Sequence, residues 1–358
     1  MTSDGALVRG GGPLFNMGSY VIVLNWNGLR DTIECLESVF RLKFPDFHVV
    51  VCDNGSCDGS FEKIKCWARG EILAESANPQ LSKLTSPPLP KPIPYFEMTR
   101  EQAESRTANY MTKLTLIQNG ANLGFAAGNN VGLRYALGDE ACQFCWLLNN
   151  DTVVEPDALS AMVRLMRQKP EIGLCGSLNL SYLNPNQVQA QGGKMYTRWT
   201  GRVRTPRTLL AQDVDSHPAS MSYVNGASML VSRGFLESVG LMEESYFLYF
   251  EELDWAMRAK GRFRLDYARD SLIYHKEGAA IGSSPDRMKR SLASDKYLTR
   301  SRVLFTKRFF PLALPSVLVS VILAAVYRLC RGDLERAKVM ISSMFSGLLD
   351  RKMPTATP

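Results

Sequence analysis

The 358-residue chain predicts an α/β fold: a mostly parallel twisted sheet flanked by helices. Three observations carry this expectation. Apolar runs of strand length recur at residues 20–24, 48–52, 114–117 and 146–148, with helical spacing between the first two. The first two runs end in clusters of Asn, Asp and Gly, the pattern of a βαβ unit in a parallel sheet. Apolar content of 45% and charge of 22% are ordinary for a globular chain, long enough for one large or two modest domains.

A Gly-rich head over residues 1–18 lacks the apolar core of a secretory signal and is expected to be disordered. The run 20–24 ends in Asn25-Trp26-Asn27-Gly28. Asp31 then stands where it can cap a helix whose apolar positions Ile33, Leu36, Val39 and Phe40 share one face. The second run is stopped by Asp53-Asn54-Gly55-Ser56. No GxGxxG follows the first strand, which argues against a dinucleotide-binding site. Five prolines between 87 and 94 mark residues 70–110 as an extended surface insertion unable to supply core. A strand at 114–117 resumes, followed by a polar, Gly-containing loop at 119–128 and a helix at 129–137. The next strand runs directly into Asn149-Asn150-Asp151, and Glu155-Pro156-Asp157 opens a helix with Leu159, Met162, Val163 and Met166 on one face. Residues 172–180 and 224–231 read as strands, and 181–222 as polar and turn-rich. Residues 246–255 lead into a helix ending near Gly261; short strands at 264–267 and 271–274 precede His275.

Charge is unevenly placed. The net charge is +7, yet residues 286–331 alone hold ten Lys or Arg against two acids. That fits a membrane surface at least as well as a nucleic-acid groove, and no nucleic acid is expected as a partner. Residues 309–327 carry no charge and are flanked by Lys307-Arg308 and by Arg328 and Arg331. Length and the two prolines favour a helix lying in a membrane interface over a full span; a buried core or dimer helix remains the other reading. Eight scattered cysteines suggest thiols in a reducing compartment, with no disulfide framework and no second pair to make a zinc site of Cys142 and Cys145. The expected location is cytoplasmic, peripheral on the inner membrane.

The chemistry centres on Asn149-Asn150-Asp151. Ligands in open α/β sheets collect outside the carboxyl ends of the strands, and a carboxylate with two amides offers oxygen ligands to a hard cation. Taken alone, the same three residues make an ordinary turn. Four polar clusters follow apolar strands: Asn25-Trp26-Asn27, Asp53 to Ser56, Asn122 to Asn129, and Asn149 to Asp151. The acid cluster Glu251-Glu252-Leu253-Asp254 and then His275 come later.

In order and spacing these clusters resemble the family 2 glycosyltransferases, and among them the rhamnosyltransferase-like bacterial members that build surface polysaccharides. The resemblance runs from about Val21 to Gly278. It implies a GT-A fold over 19–285, followed by a basic and apolar helical region over 286–358, and an inverting transfer from a nucleotide sugar. It implies that Asp53 binds the base or ribose, with Asn25, Trp26 and Asn54 in the same pocket. Asn122, Gly124, Phe125 and Asn129 would close over the nucleotide, and Asn150 would line it. Asp151 would bind Mg2+ or Mn2+, with Asn149 and His275 completing the metal or diphosphate site. Glu252 stands where the family carries its catalytic Asp, and Glu251 is the second candidate base. The implied donor is dTDP-rhamnose or a UDP-sugar and the acceptor a glycan or lipid-linked glycan; self-association is kept as an option. Two other readings stay open: a sugar nucleotidyltransferase, disfavoured by the missing Gly-rich phosphate loop after Leu24, and a non-catalytic assembly protein of the same fold. Asp254 and Arg258, four apart, read as a structural ion pair.

Overall fold

The computed structural model describes residues 18–105, 112–204, 210–214, 221–277 and 291–349. The head expected to be disordered lies outside these up to residue 17, as do parts of the expected insertion and of the basic segment.

Five parallel strands form one half of the sheet: β1 (Gly18–Asn25), β2 (Phe47–Asp53), β3 (Tyr95–Thr99), β4 (Leu114–Gln118) and β5 (Cys142–Asn149), in the spatial order β3-β4-β2-β1-β5. Their apolar runs are continuous because both faces are covered. Val21, Val23, Val49 and Val51 face α1 (Leu29–Val39) and α2 (Ser60–Arg69), while Tyr20, Ile22, Val50 and Cys52 face α4 (Gly124–Leu137). A short β6 (Thr152–Val154) and α5 (Ala158–Gln168) lead to β7 (Ile172–Ser181). The sheet continues past β5 through β12 (Ser228–Ser232), antiparallel to both β5 and β7. Beyond β7 come β8 (Val188–Gln191), β9 (Gly193–Thr197) and β10 (Arg202–Arg204), with β11 (Tyr223–Val224) paired to β9. After α6 (Arg233–Val239) and α7 (Glu251–Ala259), β13 (Arg264–His275) joins β7 in parallel and β6 antiparallel. Three helices finish the chain: α8 (Leu292–Phe309), α9 (Leu314–Cys330) and α10 (Leu334–Leu348).

Several expectations are corrected. The segment 70–110 does supply core: Leu81, Leu84, Met98 and Ala103 are buried, β3 extends the parallel sheet, and α3 (Arg100–Glu104) starts in a capping box at Thr99. The Pro-rich part is itself tied down. The Leu89 N–H and the Trp67 indole both donate to the buried Glu37 carboxylate, and Lys91 lies over the Trp67 ring. The prolines masked this because a five-residue strand next to them carries little periodic signal.

The helix expected from 129 starts at Gly124. Its Gly content lowers intrinsic propensity, but a Cβ at Gly128 would meet Leu24 at 2.6 Å, and one at Gly132 would meet Ile22 at 2.7 Å. Close approach to the sheet outweighs propensity here. Asp31 caps nothing: Gly28 is the N-cap residue and Asp31 pairs with Lys276. The two short strands at 264–274 are one strand with a register shift between Ala268 and Leu272. The turn-rich 181–222 contains β8, β9 and β10. The first C-terminal helix packs on the sheet domain: Ser301 of α8 donates to the Leu248 carbonyl, and Phe305 is buried among Tyr246, Phe250 and Tyr196.

Candidate active site

The carboxyl ends of β1, β2, β4 and β5 meet at one edge of the sheet, because parallel register sets Asn25 against Asp53, Leu24 against Asn149 and Asp53 against Gln118. Asn25 is buried and donates to Asp53 Oδ1 at 2.7 Å and to Ser56 Oγ at 3.0 Å. Its own carbonyl oxygen Oδ1 accepts from Thr32 at 2.7 Å, one turn into α1. Asp53 also accepts from the Ser56 hydroxyl and backbone N–H, at 2.7 and 2.9 Å. Asn150 joins the cluster by donating to Thr32 Oγ1 at 2.9 Å. Trp26, half-buried, follows Asn25 at the strand end. The structure therefore brings together Asn25, Asp53 and Asn150 as expected. Thr32, which the sequence reading did not single out, and Ser56, named there only as the end of the Asp53 cluster, hold the set together.

Asn54 and Asn122 act on the neighbouring loop. Asn54 donates to the Gly124 carbonyl at 3.0 Å and accepts from Asn119 at 2.8 Å, while Asn122 accepts from Gly124 N–H at 3.0 Å. Gly124 is in the left-handed region (φ +83), where a Cβ would strike the Phe247 carbonyl and ring, and Phe125 N–H donates to that carbonyl at 2.7 Å. Asn129 lies inside α4 and donates one turn back to the Phe125 carbonyl at 2.9 Å. It fastens the loop from behind.

The metal expectation rests on Asp151, Asn149 and His275. Asp151 is buried, and its Oδ1 has no hydrogen-bond partner yet stands 3.2 Å from His275 Nε2, an ion-pair distance. Burial pushes the Asp151 carboxyl up, but the facing His275 outweighs it and holds the group below the usual carboxylate range. Burial pushes His275 down and Asp151 pulls it up further, so the imidazole lies above its ordinary value. Gln189 orients the ring from behind: its Oε1 is 3.1 Å from His275 Nδ1 and its Nε2 donates to the His275 carbonyl at 3.0 Å. Lys276, next along, fixes the strand end by pairing with Asp31 at 2.5 Å and Glu34 at 2.6 Å on α1, and its N–H donates to the Asp151 carbonyl. Among the described residues no group of three or more His, Cys, Asp and Glu is arranged to hold a metal. One orphaned carboxylate oxygen beside an imidazole fits a cation that keeps waters and substrate phosphates as its main ligands.

The acid pair opens α7. Phe247, Tyr249 and Phe250 all have φ between 65 and 75, and strain of this kind in bulky residues concentrates at functional sites. Glu251 is buried with Oε2 unpartnered; burial and the Glu252 charge push its carboxyl well up. Glu252 is half-buried and lies against Gly226, where a Cβ would collide with its carboxylate. Burial raises Glu252 too, partly opposed by backbone N–H groups and by Lys194. The next residue, Ala227, accepts from the Asn149 N–H at 3.0 Å. The acid pair and Asn149-Asn150-Asp151 are thus neighbours through the 226–227 turn. Lys194 of β9, whose charge acts on both Glu252 and His275, is a further residue the sequence reading missed; a single Lys in a turn-rich stretch carries no signal. Asp254 is the structural residue expected, bound by Arg258 at 2.7 Å, Arg308 at 3.0 Å and the Tyr246 hydroxyl. Tyr249 turns to Ser294 of α8, 2.8 Å away.

Residues 97–223 match the family model for glycosyl transferase family 2. That span includes the loop of Asn122 to Asn129 and Asn149 to Asp151, and excludes Asp53 and Glu252. The chain is 24% identical over 153 residues to the low-salt glycan biosynthesis hexosyltransferase Agl10 of Haloferax volcanii, covering 40% of this chain and 45% of that one, so it spans under half of that relative's length. It superposes on the mannosyltransferase PcManGT of Pyrobaculum calidifontis, solved with GDP-mannose and Mn2+, at TM-score 0.50 and 15% identity, over 93% of this chain and 87% of the other. Staphylococcus aureus TarS residues 1–349 with UDP-GlcNAc gives TM-score 0.50 and 14% identity, over 93% and 81%. The fold is that of the GT-A glycosyltransferases, with the sequence pattern of glycosyl transferase family 2 across its centre.

Proposed function

We propose that this chain is an inverting glycosyltransferase that moves a sugar from a nucleoside diphosphate donor to a glycan or lipid-linked acceptor. One observation carries the reading: the Asn25–Asp53–Ser56 cluster, the Asp151–His275 pair and the Glu251–Glu252 pair converge on one edge of the sheet. Asp53 and Asn25 recognise the nucleoside. Asp151, with Asn149 and His275, takes the diphosphate end, and Lys194 adds positive charge felt by both His275 and Glu252. Glu252 takes the proton of the attacking acceptor hydroxyl as the sugar–phosphate bond breaks, and its raised basicity suits that task. A bound Mg2+ or Mn2+ would stabilise the charge that develops on the departing diphosphate. Rhamnose as the sugar rests on the motif resemblance alone, with UDP-sugars next. Thermal-shift screening of nucleoside diphosphates with Mn2+, followed by incubation with the matching nucleotide sugars and a lipid-linked acceptor, tests the assignment. Absence of both transfer and donor hydrolysis with every donor tried would sink it.

The chain also works at the cytoplasmic face of a membrane in this reading. Residues Pro311–Cys330 are long and apolar enough to cross one by length and composition. However, Val317, Val321, Ala325 and Arg328 pack one face of α9 against the protein, which favours a helix lying along the interface. Removing residues from 307 onward should release the protein from membranes; a truncated chain that still sediments with them would contradict this.

A further inference from the structure

The outward face of α9 is apolar, with Val319, Ile322, Leu323 and Val326 exposed, and Leu312 in the turn just before it is 90% exposed. A second element, more than a hundred residues earlier in the chain, lies against the same helix. The β9–β10 hairpin reaches α9 with its tip: Ser316 donates to the Trp199 carbonyl at 2.7 Å and Ser320 to the Thr200 carbonyl at 3.2 Å. Gly201 (φ +63) permits the approach, since a Cβ there would stand 2.7 Å from Arg302 and 3.2 Å from Val317. The hairpin base is anchored as well, Tyr196 stacking on Phe310 and meeting Phe305 edge-on.

The tip carries the residues a charged lipid surface selects. Trp199 is 51% exposed, and Arg198, Arg202, Val203 and Arg204 are exposed around it. Among the described residues the three arginines make no ion pair with an acid; Arg198 lies over the Trp199 ring. Exposed cations with no acidic partner among the described residues, beside an aromatic ring and an apolar helix face, are the pattern of an interfacial lipid contact. We infer that the β9–β10 tip and the outer face of α9 form one composite docking surface for an anionic bilayer, with Trp199 in the headgroup region. This rests on the membrane reading above and adds a second contact, held in place against α9. β9 begins beside the acid pair, at Gly193 and Lys194, and ends two residues before Trp199. At about 3.3 Å per residue, the bilayer contact lies roughly 20 Å from the acid pair. A lipid-linked acceptor held in the same bilayer would thus be delivered within reach of Glu252.

The test is flotation of the full chain with vesicles of phosphatidylcholine alone or of equimolar phosphatidylcholine and phosphatidylglycerol, with tryptophan emission recorded on the same samples. Wild type should float with the anionic vesicles and its emission should shift to the blue; Trp199→Phe should keep flotation and lose most of that shift. The triple variant Arg198→Gln, Arg202→Gln, Arg204→Gln should lower partition onto anionic vesicles by on the order of 100-fold at low salt. These side chains are exposed, so unchanged circular dichroism is expected. If wild type floats with neither vesicle, the membrane reading and this inference both fail. If wild type floats and the variants match it in partition and emission shift, α9 binds alone and the hairpin contact is refuted. A concentration-dependent dimer abolished by the triple variant, with vesicle binding unchanged, would make the occupant a second copy and overturn the inference.

Discussion

At the carboxyl ends of β1 and β2, Asn25, Asp53, Ser56 and Thr32 satisfy one another by hydrogen bonds of 2.7–3.0 Å. At the start of α7, Glu251 keeps a buried oxygen without a partner, and three of the four residues before it have positive φ. The first region is complete before any ligand arrives, as suits a rigid recognition surface. The second stores strain and keeps two carboxyls side by side in a poorly solvated place, as suits a group that must take up a proton. Gly124 joins the two, since its loop is held by Asn54 on one side and packed on Phe247 on the other.

Removing the base should separate the halves most sharply. Glu252→Gln is expected to lower kcat by about a hundred- to ten-thousand-fold while the donor KM stays near wild type; equal loss in donor affinity would mean that Glu252 binds rather than catalyses. Gln189→Leu leaves His275 without its orienting amide and should weaken Mn2+ binding by about 10–100-fold, read by Mn2+ titration in the presence of nucleoside diphosphate. Unchanged Mn2+ affinity would remove His275 from the cation site. Gly124→Ala forces a Cβ against Phe247 at a left-handed φ and should cost about 1–3 kcal/mol of stability. Its thermal midpoint and donor affinity should fall together; a stable variant with normal donor binding would show that the halves are not coupled through this loop.

The smallest effects are on pH. Because burial raises the Glu252 carboxyl, activity should fall as pH drops through a value above the usual carboxylate range, with the base form lost by protonation. Glu251 is raised further, so its folded-state contribution is favourable below the unfolded carboxyl pKa and lost as pH rises through the folded one. Glu251→Gln should therefore stabilise the protein near neutrality and lose that advantage in acid. A thermal midpoint lowered at neutral pH would show that the Glu251 carboxylate is satisfied by partners after all.

The local polar clusters were legible because each sits at a strand end within a few residues of an apolar run, where spacing alone aligns it with its neighbours. Asn25, Asp53 and Asn150 meet as expected for that reason. Thr32 escaped notice, and Ser56 was read only as a member of its strand-end cluster, because hydroxyls in a helix turn or a strand-end cluster are common and only their partners distinguish these two. Gln189, Lys194 and Lys276 were illegible for a stronger reason: Gln189 reaches His275 through the β8–β7–β13 pairings, Lys194 sits near the acid pair through the β9–β11 pairing, and Lys276 meets α1 beside the β6–β13 pairing; pairing order has no local sequence signature.

By itself the sequence determined the α/β class, the positions of the strand-end polar clusters, the acid pair and the apolar, basic C-terminal stretch, all properties of short windows of residues. Tertiary structure decided that the Pro-rich 70–110 segment contributes an edge strand, that the second half of the Gly-containing 119–128 loop is helical, and that Glu252 faces Gly226 beside Asn149. It also set the Trp199 hairpin against α9. These depend on close backbone approach and on contacts across a hundred residues or more, which packing selects from many options that local propensity leaves nearly equal in energy.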